Sequence, residues 1–204
     1  IVRECAPNLD IHISTQANNT NYMSARTWYK LGAKRVVLAR ELSLDDIVSA
    51  VENSPAEIEI FLHGALCVCH SGQCLFSSLV GGRSGNRGEC AQPCRLPYNN
   101  SYPLSLKDLS MATRIPELLS TGAASLKIEG RMKSAYYAAV VTNAYRMALD
   151  SYFADPENYE FKKEWLDELC SVSHRDYATG YWFDLPSDAA QVCENMGYIR
   201  EKAY

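Results

Sequence analysis

Five of the eight cysteines in this 204-residue chain lie between Cys67 and Cys94, within the stretches CVCHSGQCLFSS and GECAQPC. Thiols this close together support three kinds of structure: a disulfide framework, a zinc site or an iron–sulfur cluster. A chain of this length can bury a core without covalent cross-links, and its first residues, IVRECAPNLD, have no features of a signal peptide. Clustered cysteines without a secretion signal favour a metal site over disulfides.

The spacing of the cysteines leaves zinc and iron–sulfur both open. Zinc knuckles usually carry cysteine pairs separated by two to four residues, as Cys90 and Cys94 are, but Cys67 and Cys69 are closer than that. Iron–sulfur clusters accept looser spacing when a long loop supplies the ligands. Glycines in the same region would let backbone N–H groups approach a bound cluster: Gly72, Gly81, Gly82, Gly85 and Gly88. A third interpretation, a free thiol packed as a small apolar group, suits Cys69 best.

Charge is distributed unevenly along the chain. The net charge is −4, but residues 83 to 133 contain eight basic and four acidic residues, a local charge of +4. A positive field beside the cysteines is able to hold an anion or a phosphate backbone. The alternative interpretation is that these charges lie on solvated helix faces.

Strands and helices are predicted to alternate along the chain. Apolar runs predict strands at 11–15, 35–40, 57–64 and 125–130, with a fifth near 102–106. Helical spacing predicts helices at 21–32, 43–54, 105–122, 134–150 and 158–172, with Ser43 and Ser105 as N-caps. Such alternation predicts an α/β fold with a parallel sheet. Because the strands are too few to close an eight-stranded barrel, we expect a partial TIM-barrel-like fold, the C-terminal part of a barrel, interrupted by a long Cys/Gly-rich insertion.

Polar side chains follow several of the predicted strands. The carboxyl ends of parallel strands meet at one edge of a sheet, so these side chains are expected to gather at one mouth. Catalytic roles are predicted for His12, Gln16, Arg40, Glu41 and His63, and substrate-binding roles for Arg95, Lys127, Glu129 and Arg131. Taken singly, Arg40 and Glu41 also fit a surface ion pair, and His12 fits a core histidine.

Five motifs in order resemble the peptidase U32 family, the collagenase-like proteases: IHISTQANNTN, RVVLARELSLDDI, EIFLHGALCVCHSGQCLFSS, GNRGECAQPCRLPY and SLKIEGRMKS. The resemblance runs from about residue 10 to about residue 182. It implies a TIM-barrel-like core domain over residues 1–184 that lacks its first strands, followed by a tail or the start of another segment at 185–204. The opening at Ile1, without an initiator Met, predicts a segment of a longer protein.

The resemblance also implies a function. It is closest to the tRNA hydroxylation branch, which implies an iron–sulfur-dependent RNA hydroxylation that uses prephenate. It implies a [4Fe–4S] cluster held by Cys67, Cys74, Cys90 and Cys94, with zinc as the alternative metal. Some relatives take the fourth cysteine from near the positions of Ser105 or Ser110, so Cys170 is an alternative fourth ligand.

Two other functions stay open at this point. The family name implies an endopeptidase with a Cys/His site, such as Cys67 with His63 or His70, although the chain has no HExxH or GxSxG motif. A non-catalytic, metal-stabilised subunit is the second alternative. The expected partners are tRNA, prephenate and a paralogous subunit, and open strand edges predict self-association. No apolar run is long enough to cross a membrane, so a cytoplasmic protein without a membrane partner is predicted.

Overall fold

A computed structural model describes residues 1–183 and 192–193. Its sheet contains six strands, β1 (His12–Ile13), β2 (Arg35–Val37), β3 (Glu57–Ala65), β4 (Asp108–Ser110), β5 (Ser125–Ile128) and β6 (Tyr177–Ala178). The helices are α1 (Val2–Cys5), α2 (Tyr22–Lys30), α3 (Leu44–Asn53), α4 (Phe76–Gly81), α5 (Ile115–Ser120), α6 (Ala135–Ala154) and α7 (Lys163–Ser171).

The sheet is mostly parallel. Strands β1, β2, β3 and β5 run in one direction, and each pairs with a neighbour in parallel register. The end of β3 also pairs with β4 in antiparallel register, and β4 pairs with β6 in parallel. Helices α2 and α3 connect the first three strands. The predicted α/β class with a parallel sheet, consistent with part of a barrel, is therefore confirmed.

Strand β3 is buried on both of its faces. Ile58, Ile60 and Leu62 alternate along one face and belong to the main hydrophobic core, which also contains Val141 and Ala148 of α6. The alternate residues Glu59, Phe61 and His63 point to the opposite face and are buried as well. A strand covered on both faces reads as a nearly continuous apolar run, which explains the strength of its signal in the sequence.

A charged network crosses the polar face of the sheet at Glu59. The carboxylate of Glu59 accepts hydrogen bonds from Arg35 on β2 at 3.3 Å, and from Ser125 and Lys127 on β5 at 3.1 and 3.0 Å. Burial alone would raise the pKa of Glu59, but Lys127, Ser125 and Arg35 together hold it below its ordinary value. The network joins three neighbouring strands, and it occupies the ammonium group of Lys127.

Two helix ends lie where the sequence predicted them, at the start of α3 and at the end of α2. The hydroxyl of Ser43 accepts from the N–H of Asp46, and the carboxylate of Asp46 accepts from the N–H of Ser43, so α3 begins with a capping box. Gly32 follows the end of α2 with φ of +94°, a conformation that favours glycine. These signals act within a few residues, so the sequence alone reveals them.

Other expectations were wrong, and the errors share one cause. Ser105 is buried and precedes β4 instead of capping a helix, and the helix predicted there begins only at Ile115. The Cys/Gly-rich stretch contains the short helix α4, and the short strand β6 was not predicted. Each of these elements is short, so contacts with distant parts of the chain define it more than local periodicity does.

In the part of the chain that the structure describes, no helix is both long and apolar enough to cross a membrane. Nearly all of the predicted tail, 185–204, and the proposed boundary at 184 lie outside the described residues. Within the tail, Val192 forms a bridge with Leu106, and the N–H of Cys193 donates to the carbonyl of Ser105 at 2.8 Å.

Candidate functional site

The structure brings four cysteines to one cavity. Cys67, Cys74, Cys90 and Cys94 line a cavity of about 110 Å³ that opens beside the end of β3. Cys67 as a residue is exposed, although many protein atoms surround its sulfur. Burial raises the pKa of the Cys67 and Cys94 thiols, Arg95 partly lowers it, and the neighbouring cysteines raise it further. The four thiols therefore border one small cavity.

Arg95 holds two cysteine-bearing segments together. Its side chain is 7% exposed, and it donates hydrogen bonds to the carbonyls of Leu66 and Leu106. Leu66 directly precedes Cys67, and Arg95 directly follows Cys94, so this one guanidinium fixes both ends of the cysteine stretch. A buried guanidinium committed to backbone carbonyls is not free to clamp a substrate anion, so this placement does not suit the binding role predicted for Arg95.

Glu41 anchors the loop between Cys67 and Cys74. Its carboxylate accepts from the N–H and the hydroxyl of Ser71, at 2.8 and 2.9 Å. The imidazole of His70 lies 3.5 Å from the same carboxylate. Glu41 therefore positions the loop from the end of β2, as its location after that strand allows.

Two glycines allow the cysteine loops to pack closely. A β-carbon at Gly72, where φ is +79°, would overlap the backbone carbonyl of Gln16. A β-carbon at Gly88, where φ is +78°, would overlap the guanidinium of Arg131. The side-chain amide of Asn86 also donates to the carbonyl of Gly72 at 3.2 Å, which ties the loop before Cys90 to the loop before Cys74. Glycine suits both positions because φ is positive at each, and at Gly72 a side chain would also collide with backbone.

Arg40 places a positive charge against the thiols. Its guanidinium lies 3.9 Å above the Phe61 ring, and its Nη1 is 3.8 Å from the sulfur of Cys67. A second cavity of about 240 Å³, lined in part by Glu41 and Tyr181, adjoins the first, and Arg40 and Cys67 line both. A cation stacked on a ring and facing a thiol favours a negatively charged group in the cavity.

His63 is a buried core residue. It is fully buried, and its Nδ1 lies 3.2 Å from the hydroxyl of Tyr145. That hydroxyl donates to the carbonyl of Leu62 and accepts from the N–H of Met111, so it is best placed to accept from a protonated Nδ1. The Nε2 of His63 has no hydrogen-bond partner among the described residues. Burial, with His174 and Lys133 nearby, lowers the pKa of His63 to about 3.

Neutral His63 should make stability depend on pH. The pKa of His63 is about 3 in the folded chain and 6.5 ordinarily, so the unfolded chain binds more protons between these values. The contribution of His63 to the free energy of unfolding is therefore fully present above pH 6.5 and is lost as the pH drops toward 3. Between pH 7 and pH 5 this loss is about 2 kcal/mol. Urea titration at the two pH values should show a loss smaller by that amount in His63→Gln, whereas His12→Gln should behave as wild type. An equal loss in all three proteins would contradict this assignment.

The other predicted residues are distributed around and away from the cavity. Gln16 lines it, whereas His12 lies exposed on β1 and does not. Lys127 is paired with Glu59, and the carboxylate of Glu129 accepts from the N–H of Arg131 at 3.1 Å. Strand ends thus gather Gln16, Arg40 and the cysteines, but not the whole predicted set.

Three residues of the site were not predicted from the sequence. Ser71 bonds Glu41, Asn86 ties the two cysteine loops, and the half-buried Phe76 ring lines the cavity. Ser71 could have been suspected from the sequence, because the carboxylate of Glu41 after a strand end needs nearby hydrogen-bond donors. Phe76 and Asn86 had none, since their roles depend on how the loops fold back on each other.

The four cysteine thiols are suitable metal ligands by type, but they are not at metal-binding spacing. Among residues 1–183 and 192–193, no three His, Cys, Asp or Glu side chains stand together at metal-binding spacing. Four thiols around one cavity are nevertheless the ligand set that iron–sulfur clusters use, and zinc accepts the same set. The cysteines would therefore have to move closer together around a bound group, which glycine-containing loops permit. Cys170, on α7, does not line the cavity.

The model of peptidase family U32 matches residues 1–191. The chain belongs to this family. It is 40% identical to the tRNA hydroxylation protein P1 of Bacillus subtilis, over 93% of this chain and 49% of that protein. It is 40% identical to the 23S rRNA 5-hydroxycytidine C2501 synthase of Escherichia coli, over 71% of this chain and 24% of that protein.

The chain is also similar to a relative that is named for proteolysis and not for RNA hydroxylation. The collagenase of Porphyromonas gingivalis is 33% identical over 96% of this chain and 53% of that protein. No solved structure gives a significant match. The chain spans about half the length of the curated relatives that match it over most of its length.

Proposed function

We propose that this protein takes part in the hydroxylation of RNA, with tRNA as the substrate class, at the cavity lined by Cys67, Cys74, Cys90 and Cys94. The observation that carries the proposal is the convergence of these four thiols beside Arg40. The similarity to proteins named for tRNA and rRNA hydroxylation supports the choice of substrate. A paralogous subunit, self-association and a cytoplasmic location remain predictions.

The residues around the cavity fit an iron–sulfur cluster as the cofactor. The four cysteines would hold it, and when bound it would supply one-electron transfer. Arg40 would offset its negative charge, and Arg95 and Glu41 would keep the ligand loops in place. Zinc would fit the same thiols but supplies no redox chemistry. The nature of the reaction therefore favours iron.

The stoichiometry of the hydroxylation determines which co-substrates the site must bind. Replacing C–H by C–OH on a base is a two-electron oxidation of the carbon. With water as the oxygen source it is RH + H₂O + A → ROH + AH₂, where A is a two-electron acceptor. We propose prephenate, an unsaturated keto acid, as A. The cavity of about 240 Å³ that adjoins the cysteine cavity, and shares Arg40 and Cys67 with it, offers space beside the cluster site for the base or for such a co-substrate.

The test of this function is made in cells. Deleting the gene should remove a hydroxylated nucleoside from digested tRNA, as measured by mass spectrometry, and the intact gene should restore it. A strain unable to make prephenate should show the same loss. An unchanged nucleoside profile for both tRNA and rRNA in the deletion strain would reject the proposal.

The peptidase alternative lacks an activated nucleophile in this structure. A catalytic cysteine needs a lowered pKa and a nearby base, but burial raises the pKa of Cys67. His63 is buried against Tyr145, and the Cys67 sulfur contacts Arg40. His70, the other predicted base, lines the cavity with Cys67 but lies against the carboxylate of Glu41. The name of the family and the similarity to a protein named collagenase support proteolysis. Cleavage of a protein substrate by the purified protein would be the finding that revives it.

A further inference from the structure

An arginine-rich rim borders the cysteine cavity. The loop at residues 83–90 lines the cavity through Gly85, Asn86 and Cys90. The same loop carries Arg83 and Arg87, which are exposed. Hydrogen bonds from Arg87 N–H to Ser84 and from Gly88 N–H to Gly85 close the turn that holds this loop.

Arg131 joins this rim from a distant part of the chain. It follows β5 and is exposed, and its guanidinium lies against Gly88, where a β-carbon would displace it. Arg83 contacts the backbone of Glu89, Arg131 lies against Gly88, and Arg87 directly precedes Gly88, so the three arginines are grouped along the loop that borders the cavity, with Glu89 as the acidic residue within the loop. We call Arg83, Arg87 and Arg131 the arginine rim.

The charges of the arginine rim are not neutralised within the described part of the chain. None of the three arginines takes part in the ion pairs found among the described residues. Arg83 donates to the backbone carbonyl of Glu89 at 2.8 Å, which orients its guanidinium without cancelling its charge. Exposed, unneutralised arginines beside a cavity suit an anionic partner with several charges.

The other basic residues of the +4 region are less available. Arg95 is buried against backbone carbonyls, and Lys127 is paired with Glu59. Lys133 donates to the carbonyl of Ser173, and Arg114 is paired with Glu117. Lys107 forms no ion pair among the described residues either, but it is half-buried directly before β4. The rim is therefore the exposed part of this basic region that is free to meet an extended polyanion next to the thiols.

We propose that Arg83, Arg87 and Arg131 hold the phosphate backbone of a single-stranded RNA segment while one of its bases reaches the mouth of the cysteine cavity. The inference rests on the proposed function for the identity of the polyanion. Single-stranded RNA is recognised with its bases turned out and stacked on aromatic rings, and Phe76 presents a half-buried ring to the same cavity. The arginines are thus positioning residues, which bind the substrate backbone and do not touch the reacting carbon.

The salt dependence of RNA binding measures this contact directly. Each phosphate neutralised on single-stranded RNA contributes about 0.7 to the slope of log affinity against log salt. In the anaerobically purified full-length protein, changing all three arginines to Gln should therefore lower that slope by about 2, with unfractionated tRNA as the probe. Arg87→Gln alone should lower it by about 0.7, and this exposed side chain carries the least risk to folding.

A control variant that loses the same number of charges elsewhere on the surface distinguishes an effect of the arginine rim from an effect of net charge. Arg26 and Lys30 lie exposed on α2, and Arg146 lies exposed on α6, none of them lining the cysteine cavity. Changing these three to Gln removes the same charge and should leave the slope unchanged. Equal slopes in the rim variant and wild type, or equal reductions in the rim and control variants, would overturn the proposal. Loss of slope for an acidic peptide but not for tRNA would overturn it too.

Measuring hydroxylation activity shows whether the rim proposal or the proposed function is wrong. If the wild type hydroxylates tRNA, the rim variant should raise KM and leave kcat nearly unchanged, since its arginines act on binding. An active wild type together with a rim variant of unchanged KM and slope would reject the rim alone. A wild type that modifies no RNA would reject the proposed function, whatever the slope.

Discussion

Cys67→Ser is expected to remove nearly all bound iron from the anaerobically purified protein, from about four atoms per chain to below one. Cys67 lines both cavities and lies beside Arg40, so it contributes to the centre of the site. A serine hydroxyl is a hard ligand that replaces a thiolate poorly at iron–sulfur centres. Iron and sulfide analysis with an absorption spectrum measures the loss, and hydroxylated nucleosides should disappear with it.

Two further serine variants make this result specific. Cys170→Ser should keep its iron, because Cys170 is exposed on α7 and does not line the cavity. Cys94→Ser should lose iron, because Cys94 lines the cavity with the other three. Retention of iron by Cys67→Ser would refute the site. The reverse pattern, with iron kept by Cys94→Ser and lost by Cys170→Ser, would move the fourth ligand to α7.

Asp108→Ala is expected to lower the free energy of unfolding by about 3–5 kcal/mol. Asp108 and Arg175 form an ion pair in which both side chains are 2% exposed. The Nε and the backbone N–H of Arg175 donate to the carboxylate at 2.9 and 3.1 Å, which ties β4 to the residues just before β6. Removing the carboxylate would leave a buried guanidinium without its counter-charge. Urea denaturation measures the change.

An exposed ion pair provides the matched control. Arg114 and Glu117 are 3.0 Å apart on adjacent turns, with side chains 51% and 35% exposed. Glu117→Ala should therefore cost less than about 1 kcal/mol, since water solvates both partners. Similar costs for Asp108→Ala and Glu117→Ala would show that burial of the first pair does not determine its importance.

The sequence by itself determined the elements with strong local signals. β3 follows from an apolar run long enough to be buried on both faces, and α3 follows from its period and from the cap at Ser43. The alternation of such elements was enough to predict a parallel α/β fold. Motif order carried the family resemblance, because it depends on residue types and not on their positions in space.

Tertiary contacts decided the elements that the sequence did not reveal. β4 and β6 are three and two residues long, so neither has a period that can be recognised. β4 exists because Leu109 packs at 2% exposure beside the end of β3, and because Asp108 meets Arg175 across 67 residues of sequence. Pairing at that separation cannot be deduced from residues read in order.

The functional site shows the same division. Residue type and clustering indicated a metal site among the five cysteines, and the family resemblance singled out Cys67, Cys74, Cys90 and Cys94 as its ligands. The sequence also marked the region around them as basic, but it could not say which arginines remain available. Only the folded chain shows that Arg95 is buried against two carbonyls while Arg87 stays exposed at the cavity rim. Burial and hydrogen bonding to distant backbone decide whether a charge stabilises the fold or meets a ligand.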